Sequence, residues 1–126
     1  MSTTQDYFFT IQLFNKDIEE LNLWMTHLEN LTTEINQLAV IEKQLLKNID
    51  INYNLLAFRR KNTLFMASIF RQEQRLLKEK EYGHETYNLK WNREHDLHRS
   101  LFTQHLKAFR ALQSTVYKKL SLLERR

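Results

Sequence analysis

The sequence predicts an all-α fold: three long helices in an up-down-up antiparallel, coiled-coil-like bundle. The 126 residues include one glycine and no proline, whereas β architectures need turn residues at nearly every hairpin. Apolar residues recur every three or four positions almost throughout, which is the spacing of one face of an α-helix. The length fits one domain. We therefore expect residues 1–126 to form a single bundle that is more than about 75% helical, against about one third in an average protein.

The first helix is predicted over residues 5–47. Its apolar positions repeat at close to heptad spacing: Ile11, Phe14, Ile18, Leu21, Met25, Leu28, Leu31, Ile35, Leu38 and Leu45. The polar segment Asn30–Glu34 is the point at which this helix could divide into two. The pattern fades after Lys47, and Asp50 or Asn52 is expected to cap the next helix.

The second and third helices are predicted over residues 52–81 and 85–124. The apolar positions of the second are Leu55, Phe58, Phe65, Met66, Ile69, Phe70, Leu76 and Leu77, and those of the third are Tyr87, Trp91, Leu101, Phe102, Phe109, Leu112, Val116, Leu120 and Leu123. Gly83, the single glycine, is expected to end the second helix in the left-handed conformation. Because the connections are short, neighbouring helices should be antiparallel.

Charge is divided along the chain, with a net −5 in residues 1–50 and a net +9 in the remainder. Packing the first two helices antiparallel places residues whose numbers sum to about 100 at one level, so Glu42 should lie near Arg59. Packing the third helix parallel to the first, with an offset near 78, should bring Glu29 near Lys107. We therefore expect much of the basic excess to face the acidic first helix, which favours this register over shifted ones.

Composition excludes several classes of function. Without cysteine the chain has no disulfide, thiolate metal site or cysteine nucleophile, and one glycine excludes Gly-rich phosphate loops. No histidine and serine stand at a spacing that indicates a catalytic triad. The N-terminus does not resemble a signal peptide, and uncharged runs such as Tyr7–Asn15 are too short to span a membrane. We expect a cytoplasmic, non-enzymatic protein without a cofactor or membrane contact.

One alternative is a metal-binding helical bundle. Folding the second and third helices about Gly83 pairs residues whose numbers sum to about 167. Glu73 then lies opposite Glu94, one turn from His98, on the apolar faces of the two helices. Carboxylates and histidines on facing helices are typical of carboxylate-bridged metal sites, but this pattern is incomplete. A hydrogen-bonded polar layer that fixes the helix register is the competing interpretation.

The main hypothesis is a protein–protein interaction module, such as a small adaptor, scaffold or regulatory subunit. Its candidate interface residues are Tyr7, Phe8, Trp24, Arg59 and Arg60. A thin three-helix core and broad apolar arcs predict a homo-oligomer, a dimer in the simplest case. The third interpretation, a basic module for nucleic acid or another anionic partner, rests on short basic clusters. Nucleic-acid binding is not expected, because no helix-turn-helix signature accompanies them.

Overall fold

The computed structural model describes residues 4–83 and 86–124, and 95% of these residues are helical. Helix α1 spans Thr4–Ile41, α2 spans Ile49–Tyr82 and α3 spans Leu89–Glu124, with a π-helical turn over Glu42–Leu46 after α1. No strand occurs in these two ranges. The all-α class and the three-helix bundle are therefore confirmed. Helix α1 is continuous through residues 30–34.

A left-handed residue makes the connection between α1 and α2 tight. The Lys47 amide donates to the Glu42 carbonyl at 2.6 Å and closes the π-helical turn, and Lys47 itself has a φ of 48°. Asn48 then caps α2, since its Oδ1 accepts from the amides of Asp50 and Ile51 at 3.0 and 3.1 Å. The predicted caps, Asp50 and Asn52, are therefore wrong and lie inside the helix, because the turn comes earlier.

The connection between α2 and α3 also differs from the prediction. Gly83 has a φ of −76° and a ψ of 158°, which is extended backbone and not the left-handed conformation. Its amide donates to the Glu79 carbonyl at 2.8 Å, and a Cβ at this position would collide with that same oxygen. Helix α3 begins at Leu89 and not at residue 85, because the Asn88 side chain caps it.

The hydrophobic core runs along the axis of the bundle between the three helices. Its buried members are Phe14, Ile18, Leu21, Trp24, Leu28, Leu31, Ile35, Leu38, Ile51, Leu55, Phe58, Ile69, Leu76, Trp91, Phe102, Phe109 and Val116. Helix α1 contributes eight of them and packs most closely against α2. None of the helices, over the residues described, is long and apolar enough to cross a membrane.

Two of the three expected registers are confirmed. Asn62 meets His105 and Gln72 meets Glu94, pairs whose numbers sum to about 167. The rings of Trp24 and Phe102, which differ by 78 in number, stack with centroids 5.5 Å apart. The register between α1 and α2 differs from the prediction, since Asn62 meets Thr32 and not a residue near position 38.

The expected ion pairs between α1 and the basic helices are wrong. Within the described residues, neither Glu29 nor Glu42 lies within 4.0 Å of a lysine or arginine nitrogen. Glu29 is exposed, whereas Glu42 is buried at the π-helical turn. The numbers of facing residues in α1 and α2 sum to less than 100. Arg59 therefore lies beside the Asn36 side chain and not beside Glu42.

Candidate functional site

A cluster of charged and polar side chains joins α3 to α1. The Tyr87 hydroxyl donates to Asp17 Oδ2 at 2.5 Å. His95 Nε2 lies 2.5 Å from Glu20 Oε1 and 3.5 Å from Asp17 Oδ1. Arg99 Nη2 donates to the same Glu20 oxygen at 2.6 Å. The cluster therefore connects two carboxylates of α1 to a histidine and an arginine of α3, and to the tyrosine just before it.

The environments of the two carboxylates move their pKa values in opposite directions. Burial raises the pKa of Asp17 above its usual value, although the Tyr87 hydrogen bond partly counters this. Burial also opposes ionisation of Glu20, but hydrogen bonds to His95 and Arg99 outweigh it and lower the pKa of Glu20. Burial and the neighbouring Asp17 raise the pKa of Tyr87, so this hydroxyl keeps its proton and remains a donor.

Packing covers the Asp17 and His95 end of this charged cluster, which joins α1 to α3, whereas the Arg99 and Glu20 side chains are 44% and 31% exposed. The Trp24 ring stacks on the His95 ring with centroids 5.0 Å apart, and the guanidinium carbon of Arg99 lies 6.0 Å from the centroid of the Trp24 ring. Trp24 is 6% exposed. The expectation that Trp24 is an interface residue is therefore wrong, because its own chain buries it between α1 and α3.

The residues of the metal alternative do not converge on one point. The Glu94 carboxylate accepts from Arg75 at 3.2 Å and from Gln72 at 3.4 Å, and His98 Nδ1 is directed to the Glu94 backbone carbonyl at 2.9 Å. Across residues 4–83 and 86–124, no group of three or more histidine, aspartate or glutamate side chains could hold a metal ion. Glu73, Glu94 and His98 therefore do not form the predicted metal cluster.

A second polar group, centred on Asn62, is fully buried between all three helices. Asn62 Nδ2 donates to the Leu28 carbonyl and to Thr32 Oγ1, each at 3.0 Å. This fixes Asn62 Oδ1 as the acceptor of the 2.8 Å contact with His105 Nε2, so the proton of His105 is on Nε2. Burial, and then the nearby Lys61, lower the pKa of His105 to about 4. His105 is therefore neutral, with Nδ1 as a bare acceptor.

Three clefts lie one after another along the seam between α2 and α3. The first, about 360 Å³, is lined by Asn54, Ala57, Phe58, Lys61, Leu112 and Thr115. The second, about 180 Å³, is lined by Lys61, Phe65, Leu101, Gln104 and His105. The third, about 610 Å³, lies next to Gly83 and is lined by Arg75, Lys78, Glu79, Tyr82, Lys90 and Trp91. We call these three clefts together the α2–α3 groove.

Two buried polar atoms of residues that line the groove lack hydrogen-bond partners within the described chain. One is His105 Nδ1, an acceptor, and the other is Trp91 Nε1, a donor. His105 is 2% exposed and Trp91 is 6% exposed. An unsatisfied buried polar group costs about 1–3 kcal/mol, and both atoms are enclosed by the protein itself, with almost no accessible area of their own.

The other predicted interface residues fall into two groups. Tyr7 and Phe8 are 63% and 59% exposed at the start of α1. Arg60 is exposed on the outer side of α2. Arg59 is half-buried, and its Nη2 donates to Asn36 Oδ1 at 2.8 Å. Arg59 is therefore engaged within the molecule, whereas the other three remain exposed.

Sequence reasoning missed most of the charged cluster. An offset of 78 places Asp17 level with His95, so the same register that aligned Glu29 with Lys107 contained this contact. Pairing acids with lysines and arginines alone does not predict this contact, because its basic member is a histidine. Tyr87 had no such signal, since it precedes α3 and depends on how the connection folds.

Comparison with known protein families, characterised proteins and solved structures gives no match for this chain.

Proposed function

We propose that this chain is a non-enzymatic protein-interaction module that receives an acidic amphipathic helix of a partner protein in the α2–α3 groove. The observation that carries the proposal is the row of three clefts along one seam, with apolar side chains such as Phe65 and Leu101 in its walls. A helix laid in this seam would complete a four-helix arrangement. Docking of an amphipathic helix into an apolar groove is a common form of peptide recognition.

The charges of the groove indicate the character of that helix. Four bases line the clefts, namely Lys61, Arg75, Lys78 and Lys90, against the single lining carboxylate of Glu79. Arg75 is already paired with Glu94, which leaves three lysines for a partner. Complementary charge increases the rate of encounter and disfavours wrong partners. A helix with acidic residues beside its apolar stripe therefore suits the groove better than a basic one.

The experiment is a selection of helical peptides from a displayed library, followed by titration of the selected peptides. We expect enrichment of peptides with apolar residues at helical spacing and acidic flanks. Leu101→Glu, in the wall of the middle cleft, should weaken their binding at least about tenfold, which corresponds to about 1.4 kcal/mol. Isothermal titration calorimetry measures the affinity, and circular dichroism verifies that the variant is folded.

Leu23→Glu is the matched control, because Leu23 is 64% exposed on α1 and lines none of the three clefts. Its effect on peptide affinity should stay within about twofold. Selection that yields no helical peptide, or equal losses in the Leu101 and Leu23 variants, would contradict the proposal.

A further inference from the structure

The outer face of α2 carries an exposed stripe of apolar side chains, on the opposite side of the helix from the core. Ile49 is 80% exposed, Tyr53 72%, Leu56 52% and Leu64 61%. At 100° per residue these four positions fall within an arc of about 80°, and the buried Leu55 and Phe58 lie on the other side. An apolar face of this length on a small protein indicates an interaction surface. It is distinct from the α2–α3 groove.

The spacing of this stripe is symmetric about Arg60. Continuing the stripe past Leu64 reaches Ala67 and Arg71, so the positions are Ile49, Tyr53, Leu56, Arg60, Leu64, Ala67 and Arg71. Successive steps of four, three and four residues on one side of Arg60 are repeated in reverse order on the other. A helix with such a pattern matches a second copy of itself in antiparallel orientation, because each position then meets one whose number completes a sum of 120.

We infer that a second copy of this chain covers the stripe, pairing α2 with α2 antiparallel about a twofold axis at Arg60. Leu56 of each copy would pack on Leu64 of the second copy, and Tyr53 on Ala67. By the same sum, Ile49 would pack on the aliphatic part of Arg71 of the second copy. Exposed Asp50 follows Ile49 and would lie beside the charged end of that arginine on both sides of the axis, giving two opposite-charge contacts. These offset the like-charge contact of the two Arg60 side chains, which meet at the axis. The same surface patch is used by both copies, as a closed twofold dimer requires.

Because the chain has no cysteine, single cysteines test the register directly. Arg60→Cys should form a disulfide-linked dimer of twice 15.4 kDa under mild oxidation, since its two copies meet at the axis. Arg71→Cys is the matched control on the same helix and face. The two cysteines of an Arg71→Cys dimer would lie about 33 Å apart at 1.5 Å per residue. This variant should therefore cross-link at least about tenfold more slowly than Arg60→Cys. An equimolar mixture of Leu56→Cys and Leu64→Cys should cross-link faster than either alone.

Non-covalent assembly is measured by sedimentation equilibrium of the unmodified chain and of Leu56→Asp, with circular dichroism to verify folding. We expect a concentration-dependent dimer in the first and a monomer in the second. Equal cross-linking of Arg60→Cys and Arg71→Cys, or a mass that stays at 15.4 kDa at millimolar concentration, would overturn the inference. A monomer that binds anionic phospholipid vesicles, or an acidic peptide, only when Leu56 is intact would assign the stripe to that occupant and overturn it as well. The Leu101→Glu variant should dimerise normally, so failure of the groove and failure of the dimer are distinguishable.

Discussion

At the scale of single residues, Asn62 sets the chemistry of the centre of the bundle. Its amide nitrogen donates into α1, which leaves its oxygen to accept from His105 of α3. One side chain thereby determines which nitrogen of His105 carries the proton and which is left without one. A shifted alignment of the helices would leave this buried amide without its hydrogen-bond partners, so the amide favours the observed register.

The stability of the protein should fall in acid because of His105. Its pKa is about 4 in the folded protein and about 6.5 when unfolded, so the unfolded state binds the proton more readily. The contribution is complete above about pH 6.5 and is lost as the pH falls towards 4, amounting to about 3 kcal/mol. Urea unfolding between these pH values should show that the free energy of unfolding of the wild type declines as the pH falls. The decline should be shallower in His105→Gln, which keeps a donor for Asn62. His27→Gln, at an exposed position, should follow the wild type; parallel curves for the wild type and His105→Gln would contradict the assignment.

Much of this polar centre was accessible from the sequence. The spacing of α3 puts His105 on the apolar face, and a sum of 167 pairs it with Asn62, as the structure confirms. The proton position on His105 was not accessible, because it depends on Asn62 donating to a backbone carbonyl of a third helix. Predicting this contact requires the register between α1 and α2, and that register was predicted incorrectly from the sequence.

At the scale of helices, Tyr87 anchors the start of α3 to α1. Tyr87→Phe keeps the ring that packs edge-on against Phe14 but removes the hydroxyl that donates to buried Asp17. We expect a loss of about 1–3 kcal/mol in the free energy of unfolding, because the carboxylate is left without that donor. Urea unfolding measures it. Tyr117→Phe, which changes a half-exposed hydroxyl in the second half of α3, should cost less than about 0.5 kcal/mol; equal effects would show that the hydroxyl of Tyr87 contributes little.

The end of the π-helical turn offers a stabilising substitution. Lys47 adopts a φ of 48°, which costs a residue with a Cβ about 1–2 kcal/mol relative to right-handed backbone. Lys47→Gly should therefore raise the midpoint of thermal unfolding, and Lys47→Val should lower it because a β-branched residue tolerates this region poorly. Differential scanning calorimetry of both variants tests the conformation. A glycine variant less stable than the valine variant would contradict it.

The central parts of the helices could be predicted from the apolar periodicity, whereas the residues at which the helices begin and end could not. Apolar spacing predicted three helices because it reports burial along one face. The caps Asn48 and Asn88 were missed in favour of Asp50, Asn52 and a start near residue 85, since asparagine and aspartate cap a helix about equally well at any of these positions. The choice depends on backbone conformation outside the helix, such as the left-handed Lys47 or the extended Gly83.

At the scale of the whole molecule, the uneven distribution of charge along the chain leaves basic residues on two surfaces, the α2–α3 groove and the exposed stripe of α2. Few of the bases of α2 and α3 pair with α1; among the described residues, the arginine and lysine contacts with its acids are limited to Arg99 and Glu20. Much of the basic excess is therefore exposed, with Lys61, Lys78 and Lys90 lining the groove and Arg60 on the outer stripe. Between α1 and α2 the expected neutralisation failed because the register differs. Between α1 and α3 the register is the expected one, but Glu29 is exposed and makes no ion pair among the described residues. Both outcomes leave charge for partners.

Salt should act on the two surfaces in opposite directions. Binding of an acidic helix in the groove is an attraction between unlike charges, so its affinity should fall between about 0.1 M and about 1 M NaCl, as the Debye length shortens from about 10 Å to about 3 Å. Dimerisation brings together two copies that each carry a net charge of +4, with two Arg60 side chains at the axis. Screening this repulsion should tighten the dimer over the same range, despite weakening the Asp50 contacts with Arg71. Arg60→Gln should flatten the salt dependence of the dimer, measured by sedimentation equilibrium, and leave that of peptide binding unchanged. A dimer that weakens with salt as steeply as the peptide complex would mean that opposite charges, and not the apolar stripe, hold the two copies together.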